Sequence, residues 1–465
     1  MYYLLPKAQR WLLLCGNILF YAYADPRMLI YLIICIGLTY LAGLLIFRAS
    51  DKASRRAWLI IALIADFAAL AVFKYANFIL SAFSSRRLSL VVPLGISYIT
   101  FQTVTYLVDI YNGKISSPAR FFDYALYVSF FPNVTQGPIE KAKELLPQFH
   151  KTHGFDAKAV RVGAWSMLIG LLMKMALADL VATPVNTVFS ALSTSSGADI
   201  IFATALFAVQ LYADFAGYSL IAIGAAKVLG IELHRNFRQP YHSVTVAEFW
   251  RRWHISLSIW LKEYIYIPLG GNRRGTARKY LNLLIVFLFS GIWHGAAIGY
   301  LIWGVLNGLY IVLGQMLSAG KRGNEKTASR HSIFLRQLRT ALLVSVTWVF
   351  FRAGTWQNIC IAFDRIFLHL EPLAFILRAA RTALHMNSQQ LLGLGGLKYI
   401  QIILGIVVLA IMDHKEDQKP GIVLRIAEKP LRLRMMILAV VIFSILIFGV
   451  YGYGYQSSSF VYTQF

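Results

Sequence analysis

Apolar side chains recur along this sequence in long runs, and the charges are swept into the short segments between them. Runs at 28–47, 57–80, 88–110, 122–131, 163–182, 200–229, 281–317, 338–351, 399–412 and 435–451 mostly approach or exceed the ~20 residues a helix needs to cross a ~30 Å hydrocarbon core. Some are too long for one helix and some too short to cross upright. The pattern predicts an all-α polytopic membrane protein of about 10–12 membrane helices, several of them tilted or re-entrant.

Two stretches interrupt this pattern. "FFPNVTQGPIEKAKE" at 130–144 holds two prolines and a glycine, so it cannot be a regular spanning helix. Such backbone is tolerated at membrane depth only where protein buries it or where it lines a wet cavity. Residues 230–280 mix basic side chains with Trp, Tyr, Phe and Ile. Thr245 followed by Glu248 resembles a capping box and predicts a helix from about residue 246. Phe249, Trp253, Ile255 and Trp260 would form its apolar side, with Arg251, Arg252 and Lys262 on the polar one, as in an amphipathic or re-entrant helix at the interface. Pro268, Gly270 and Gly271 then end it in a turn. Two irregular stretches in one membrane domain suggest an internal chamber.

Composition sharpens the picture. Of 465 residues 58% are hydrophobic and 14% charged, against about a quarter charged in a soluble domain. A net charge of +24 raises nucleic acid as a partner, but the basic residues sit in loops at 48–56, 321–339 and 415–434, which marks those loops as cytoplasmic. Nucleic acid is therefore not expected; the lipid bilayer is. Residues 181–197 lack Lys and Arg and are expected outside, as is the uncharged tail 452–465. Cys15, Cys35 and Cys360 have no paired spacing, and neither a disulfide framework nor a metal site is indicated. Lys7, Arg10, the apolar run 11–20 and "AYA" at 22–24 follow the signal-peptide template, but Pro26 and the resumed apolar pattern argue for retention. With no internal repeat, the chain reads as a single membrane domain over 1–465.

His294, in "SGIWHG" within thirty mostly apolar residues, is the outstanding candidate for chemistry. Ionisable groups in membrane segments are costly and usually face a cavity or a partner; the bland alternative is a core histidine satisfied by a nearby carbonyl. Gly291 and Gly295 leave room beside it for a substrate chain or another backbone. Neutral imidazole can take a proton from a hydroxyl and return it to a leaving group. No G-x-S-x-G and no Cys–His pair accompanies it, which favours direct transfer over a covalent serine or cysteine mechanism. His254 is the second candidate. "PLGGNRRG" at 268–275 could hold phosphates through backbone N–H groups with Arg273 and Arg274, or carry ordinary positive-inside charge. Asp66, Lys74, Asp109, Lys174, Asp179 and Asp214 lie in or near apolar runs, where snorkelling, pairing or capping is the default.

Several blocks together resemble one family. "LYADFAGYSLIAIG", "FWRRWHISLSIWLKEYIYIPLGGNRRG" and "SGIWHGAAIGYLIWGVLNGLY" look like the membrane-bound O-acyltransferase (MBOAT) family. The likeness is greatest to the bacterial branch that includes the membrane protein of alginate O-acetylation; "RWLLLCGNILFYAYADP" and "FFPNVTQGPIEK" share it. The resemblance implies helices around a central tunnel in which an acyl group passes from a thioester donor to a hydroxyl. It implies catalytic roles for His294 in "WHG" and His254 in "RRWH". Arg251, Arg252, Trp253, Asn272, Arg273 and Arg274 would bind the donor, and Trp293, Asp214 and Gln136 would line the tunnel. The implied donor is acetyl-CoA or an acyl carrier protein's phosphopantetheine thioester, with no bound cofactor. An extracytoplasmic acyltransferase partner would complete transfer to a polysaccharide at the cytoplasmic membrane of a bacterium. A related branch D-alanylates teichoic acid from a carrier protein but lacks "IPLGGNRRG". "FVYTQF" at 460–465 resembles an aromatic terminus of such acylation systems and suggests Tyr462 as an acyl carrier, the alternative being an interfacial aromatic anchor. Relatives commonly carry an apolar segment ahead of a "YYLLP"-like stretch, at which this chain begins. Outside enzymology, a proton-coupled transporter using both histidines would require repeat symmetry, and a scaffold would not need intact histidines.

Overall fold

The computed structural model describes residues 2–81, 88, 90, 92–318, 329–385 and 390–452. Helices in order are α1 (Gln9–Ala24), α2 (Pro26–Arg48), α3 (Lys52–Ser81), α4 (Ile96–Tyr111), α5 (Phe121–Ser129), α6 (Ala142–His150), α7 (Ala157–Leu171), α8 (Asp179–Ser190), α9 (Gly197–Val228), α10 (Val246–Arg252), α11 (Ile255–Leu261), α12 (Thr276–His294), α13 (Ile298–Ser318), α14 (Arg330–Ala353), α15 (Trp356–Leu368), α16 (Pro372–His385), α17 (Gly396–Gln418), α18 (Ile422–Ala427) and α19 (Leu431–Phe448). Eight spans among the described residues are long and apolar enough to cross a membrane: α2, α3, the continuous run from α7 through α8, α9, α13, α14, α17 and α19. The protein is thus an all-α multi-pass membrane protein. The upright spans are fewer than the pattern of runs predicts because α1 and α4 have only 16 residues each and the run at 122–131 forms the nine-residue α5.

Capping chemistry sets several boundaries. Asp25 Oδ1 accepts from Arg27 N at 2.8 Å with Pro26 in the first helical position of α2, where a missing N–H costs nothing. Ser196 and Asp199 exchange side-chain bonds at the start of α9, 3.2 Å from Asp199 N to Ser196 Oγ and 3.0 Å from Ser196 N to Asp199 Oδ2, a reciprocal cap. Outward apolar side chains such as Ile30, Ile33, Leu38, Ile403, Val440 and Phe443 suit a hydrocarbon surround.

The chain divides into two compact units, residues 1–167 with 222–235, and residues 168–221 with 236–465. In the first, α4 is buried almost throughout. Of the segment 130–144, residues 130–141 are irregular as predicted and 142–144 begin α6; protein buries the irregular part, with Asn133, Val134, Gln136 and Glu140 all inaccessible. It fits against the start of α4 because Gly95, at φ +72°, has no Cβ; one would stand 2.3 Å from Val134 O. Glu140 clasps His234, accepting from its backbone N and bonding its Nδ1, both at 2.7 Å. Gln148 does the same for Glu232, donating to its O at 3.0 Å and accepting from its N at 2.8 Å.

In the second unit, a π-helical turn at Leu172–Ala178 joins α7 to α8. Such turns loosen the helical ladder, and neighbours take up its carbonyls: Val450 N donates to Met175 O at 3.0 Å and Gln401 Nε2 to Ala176 O at 3.2 Å. The turn carries Lys174, whose Nζ lies 2.6 Å from Asp179 Oδ1 and 2.7 Å from Asp214 Oδ1, all three side chains buried. Pairing, one of the default readings for these residues, is what the structure shows.

Candidate active site

The run at 281–317 is broken in two. α12 ends at His294, Gly295 follows in extended conformation, and α13 begins at Ile298 and packs back on α12. Glycine permits the contact: a Cβ on Gly291 would stand 2.4 Å from Tyr300 O, and one on Gly304 2.4 Å from Phe287 O. Of the two occupants the sequence left open for the space beside His294, it is another backbone. The room at Gly295 is likewise taken by the Tyr300 ring, 2.9 Å from where a Cβ would lie.

His294 is 4% exposed and enclosed by rings. Trp303 of α13 stands edge-on at 4.9 Å between centroids, Phe351 of α14 at 5.2 Å and Trp293 at 4.7 Å. Trp293 also contacts His254, at 6.3 Å. The two candidate histidines therefore flank one buried indole, that of Trp293.

His254 departs from the predicted geometry. The amphipathic helix expected across 246–267 is two seven-residue helices, α10 and α11, meeting at His254, whose φ of +44° is left-handed. An α-helix cannot run through such a residue. The segment's apolar face packs on protein, since Phe249, Trp253, His254 and Trp260 are all buried. The predicted start holds: Thr245 Oγ1 accepts from Glu248 N at 3.1 Å, and Glu248 Oε2 accepts from Val244 N at 2.9 Å. The carbonyl oxygen of Asn236 accepts Ile255 N at 2.9 Å. Asn236 Oδ1 meets His254 Nδ1 at 3.1 Å, Ser256 N at 3.2 Å and Ser256 Oγ at 2.8 Å. Phe215 clamps the imidazole edge-on at 4.6 Å.

The remaining candidates divide. Trp253 stacks on Phe249 at 5.3 Å and meets Phe237 and Trp348, the environment of a core residue. Arg252 is committed within the protein, to Glu248 and Asp417, each at 2.8 Å. Arg251, Asn272, Arg273 and Arg274 are exposed; Asn272 accepts from the Tyr266 hydroxyl, and the loop is pinned by Asn282 Nδ2 donating to Gly271 O at 3.1 Å. Asp214 lies in the Lys174 pair described above, and Gln136 in the buried 130–144 segment of the first unit. Tyr462 lies outside the described residues. Sequence reasoning missed Asn236 and also Asn307, which accepts from Trp250 Nε1 at 3.0 Å and donates to Thr347 Oγ1 at 3.2 Å. Asn236, alone in an irregular stretch, carries no periodic signal.

Glu140, Glu144 and His234 place ligand-type atoms within 4.8 Å of one another. Glu140 accepts from both the backbone N and Nδ1 of His234, each at 2.7 Å. We read the group as an ion-pair clasp.

A model of the membrane-bound O-acyltransferase family matches residues 111–351, just over half of the chain. The chain belongs to that family. This O-acyltransferase is 36% identical over 371 residues to a protein named probable alginate O-acetylase AlgI of Pseudomonas aeruginosa, covering 77% of this chain and 69% of that one. It is 36% identical over 387 residues to a peptidoglycan O-acetyltransferase of Helicobacter pylori, covering 76% and 72%. With a teichoic acid D-alanyltransferase of Bacillus subtilis identity is 28% over 227 residues, 46% and 56% of the two chains. His254, His294 and Trp293 all fall inside the stretch matched by the family model.

Proposed function

We propose that this acyltransferase moves an acetyl group from a cytoplasmic thioester, acetyl-CoA or an acyl carrier's phosphopantetheine arm, through the membrane to O-acylate a cell-envelope or exported polysaccharide. The observation that carries the reading is the pair of buried histidines flanking Trp293. An imidazole buried among rings is shielded from water, which protects a thioester from hydrolysis. His294 takes the proton of the acceptor hydroxyl as its oxygen attacks the thioester carbonyl. The C–S bond then breaks and the proton passes to the departing thiolate. The acetyl-transferring relatives match over about three quarters of this chain and the D-alanyl-transferring one over less than half, which supports acetyl over D-alanyl.

Tyr462 is the first acceptor in this reading. Its phenolic oxygen takes the acetyl group as the thiol leaves, and the phenyl ester, with a good leaving group, hands the acetyl to a polysaccharide hydroxyl on an extracytoplasmic partner enzyme. The protein then resides in the cytoplasmic membrane with its tail outside.

The test is the intact mass of the C-terminal peptide from protein expressed in its native host, beside His294→Ala and Tyr462→Phe. An acetyl adduct on Tyr462 that is absent in both variants is expected. Acetyl transfer to polymer should fall at least about 100-fold in His294→Ala, the scale of a lost general base. Polymer acetylation at wild-type level in His294→Ala would remove the catalytic reading. Full polymer acetylation in Tyr462→Phe would remove only the carrier.

A further inference from the structure

The backbone N–H of Ser256 can only donate, so the side-chain atom of Asn236 that faces it at 3.2 Å is the amide oxygen. That contact fixes which way round the amide sits, a choice that is otherwise ambiguous. Asn236 Nδ2 then points to Ser219 Oγ, 3.4 Å away on α9. Ser256 Oγ, 2.8 Å from the same Oδ1, donates as well. The imidazole Nδ1 of His254 lies 3.1 Å from this oxygen. An oxygen has no proton to give, so the hydrogen between them belongs to Nδ1.

We propose that Asn236 is a positioning residue that holds His254 in the tautomer protonated at Nδ1, so that Nε2 carries the lone pair. The inference rests on the reading of His254 as part of the catalytic machinery. Asn236 has the means to do this rigidly. It is 1% exposed, and its own carbonyl holds Ile255 N at 2.9 Å while Arg238 N holds Arg252 O at 2.8 Å. The strand of chain 236–238 thus fastens both sides of the left-handed turn at His254. A residue other than glycine persists in that conformation only where its surroundings over-determine it. A second group bonded to one ring nitrogen is how proteins commonly choose which imidazole nitrogen does the chemistry.

Full-length protein labelled with 15N-histidine, reconstituted in bilayers, gives the direct test. The His254 signals are assigned by their loss in His254→Gln, and solid-state NMR reads the protonation of each ring nitrogen. The expected result is a protonated Nδ1 and an unprotonated Nε2, with the preference lost in Asn236→Leu. A protonated Nε2 in the wild type overturns the proposal whatever the activity. Acetyl-transfer kinetics form the second arm. Asn236→Leu is expected to lower kcat at least about 30-fold with KM within about threefold of wild type. Asn236→Asp keeps the acceptor and adds a charge that favours imidazolium; it should regain much of kcat with the pH–rate limb moved upward. Loss of kcat in both variants with no movement of the limb would make Asn236 a structural cap only and overturn the positioning role. Wild-type kcat in His254→Gln, with the tautomer as expected, would instead refute the catalytic reading of His254.

Discussion

A single methyl group added at Gly291 would stand 2.4 Å from a backbone oxygen of α13, and backbone cannot swing aside as a side chain can. Overpacking of this kind costs about 1–3 kcal/mol. Gly291→Ala is therefore expected to lower the unfolding midpoint in detergent and, by displacing His294 three residues on, to lower acetyl transfer as well. Gly314 in the same helix pair has nothing within 4 Å of its would-be Cβ. Gly314→Ala should match wild type in both measurements, or gain up to about 1 kcal/mol from helix propensity. Equal losses at the two positions would mean that crowding at the α12–α13 crossing is not what holds His294. The same scale shows what the sequence made legible. His294 stood out because an ionisable side chain is rare among thirty apolar ones. Asn236 did not, since its importance lies in atoms twenty residues away that only the folded chain brings to its amide.

At the scale of elements, helix starts and the proline-bearing break after α5 were readable, and the break at His254 was not. Thr245 and Glu248 announce α10 through a local exchange of hydrogen bonds, whereas the break at His254 follows from tertiary contacts by Asn236 that no helical periodicity encodes. The connection after α9 offers a test of a second tertiary clasp. The hydrogen bond that Glu140 accepts from the imidazole ring holds His234 above its ordinary pKa of 6.5. A folded-state value raised in this way adds stability that is complete below the unfolded pKa and is lost as pH rises through the folded one. The protein should lose stability between pH 6.5 and alkaline pH relative to Glu140→Gln, whose profile should be flatter over the same window. Because the imidazole is substantially exposed, the difference is expected to stay under about 1 kcal/mol. Parallel thermal-unfolding profiles for the two proteins would show that the clasp contributes no proton-linked stability.

Over the whole molecule, the distribution of charge and the run of spans predict an orientation that can be tested. If the basic loops lie inside, as the positive-inside rule predicts, the turn between α8 and α9 should face outward and the end of α17 inward. In a protein whose Cys15, Cys35 and Cys360 are replaced by serine, Thr194→Cys should react with an impermeant maleimide in intact cells. Lys419→Cys should react only after permeabilisation, and the reverse pattern would invert the topology. The number of crossings was less legible than their nature, because hydropathy cannot separate a sixteen-residue buried helix such as α4 from a tilted span.

The bond from Val450 to the π-helical turn at Met175 gives the segment beyond it a fixed root inside the second unit. Tyr462 lies twelve positions beyond Val450, a contour of at most about 43 Å. For the carrier role proposed above, that bond makes the phenol a tethered reagent. Short tethers present their cargo at millimolar effective concentration, so loading of Tyr462 becomes a first-order event, indifferent to how densely the enzyme is packed in its membrane. Loosening the anchor would then slow acylation by dilution alone, with every group at the histidines left in place.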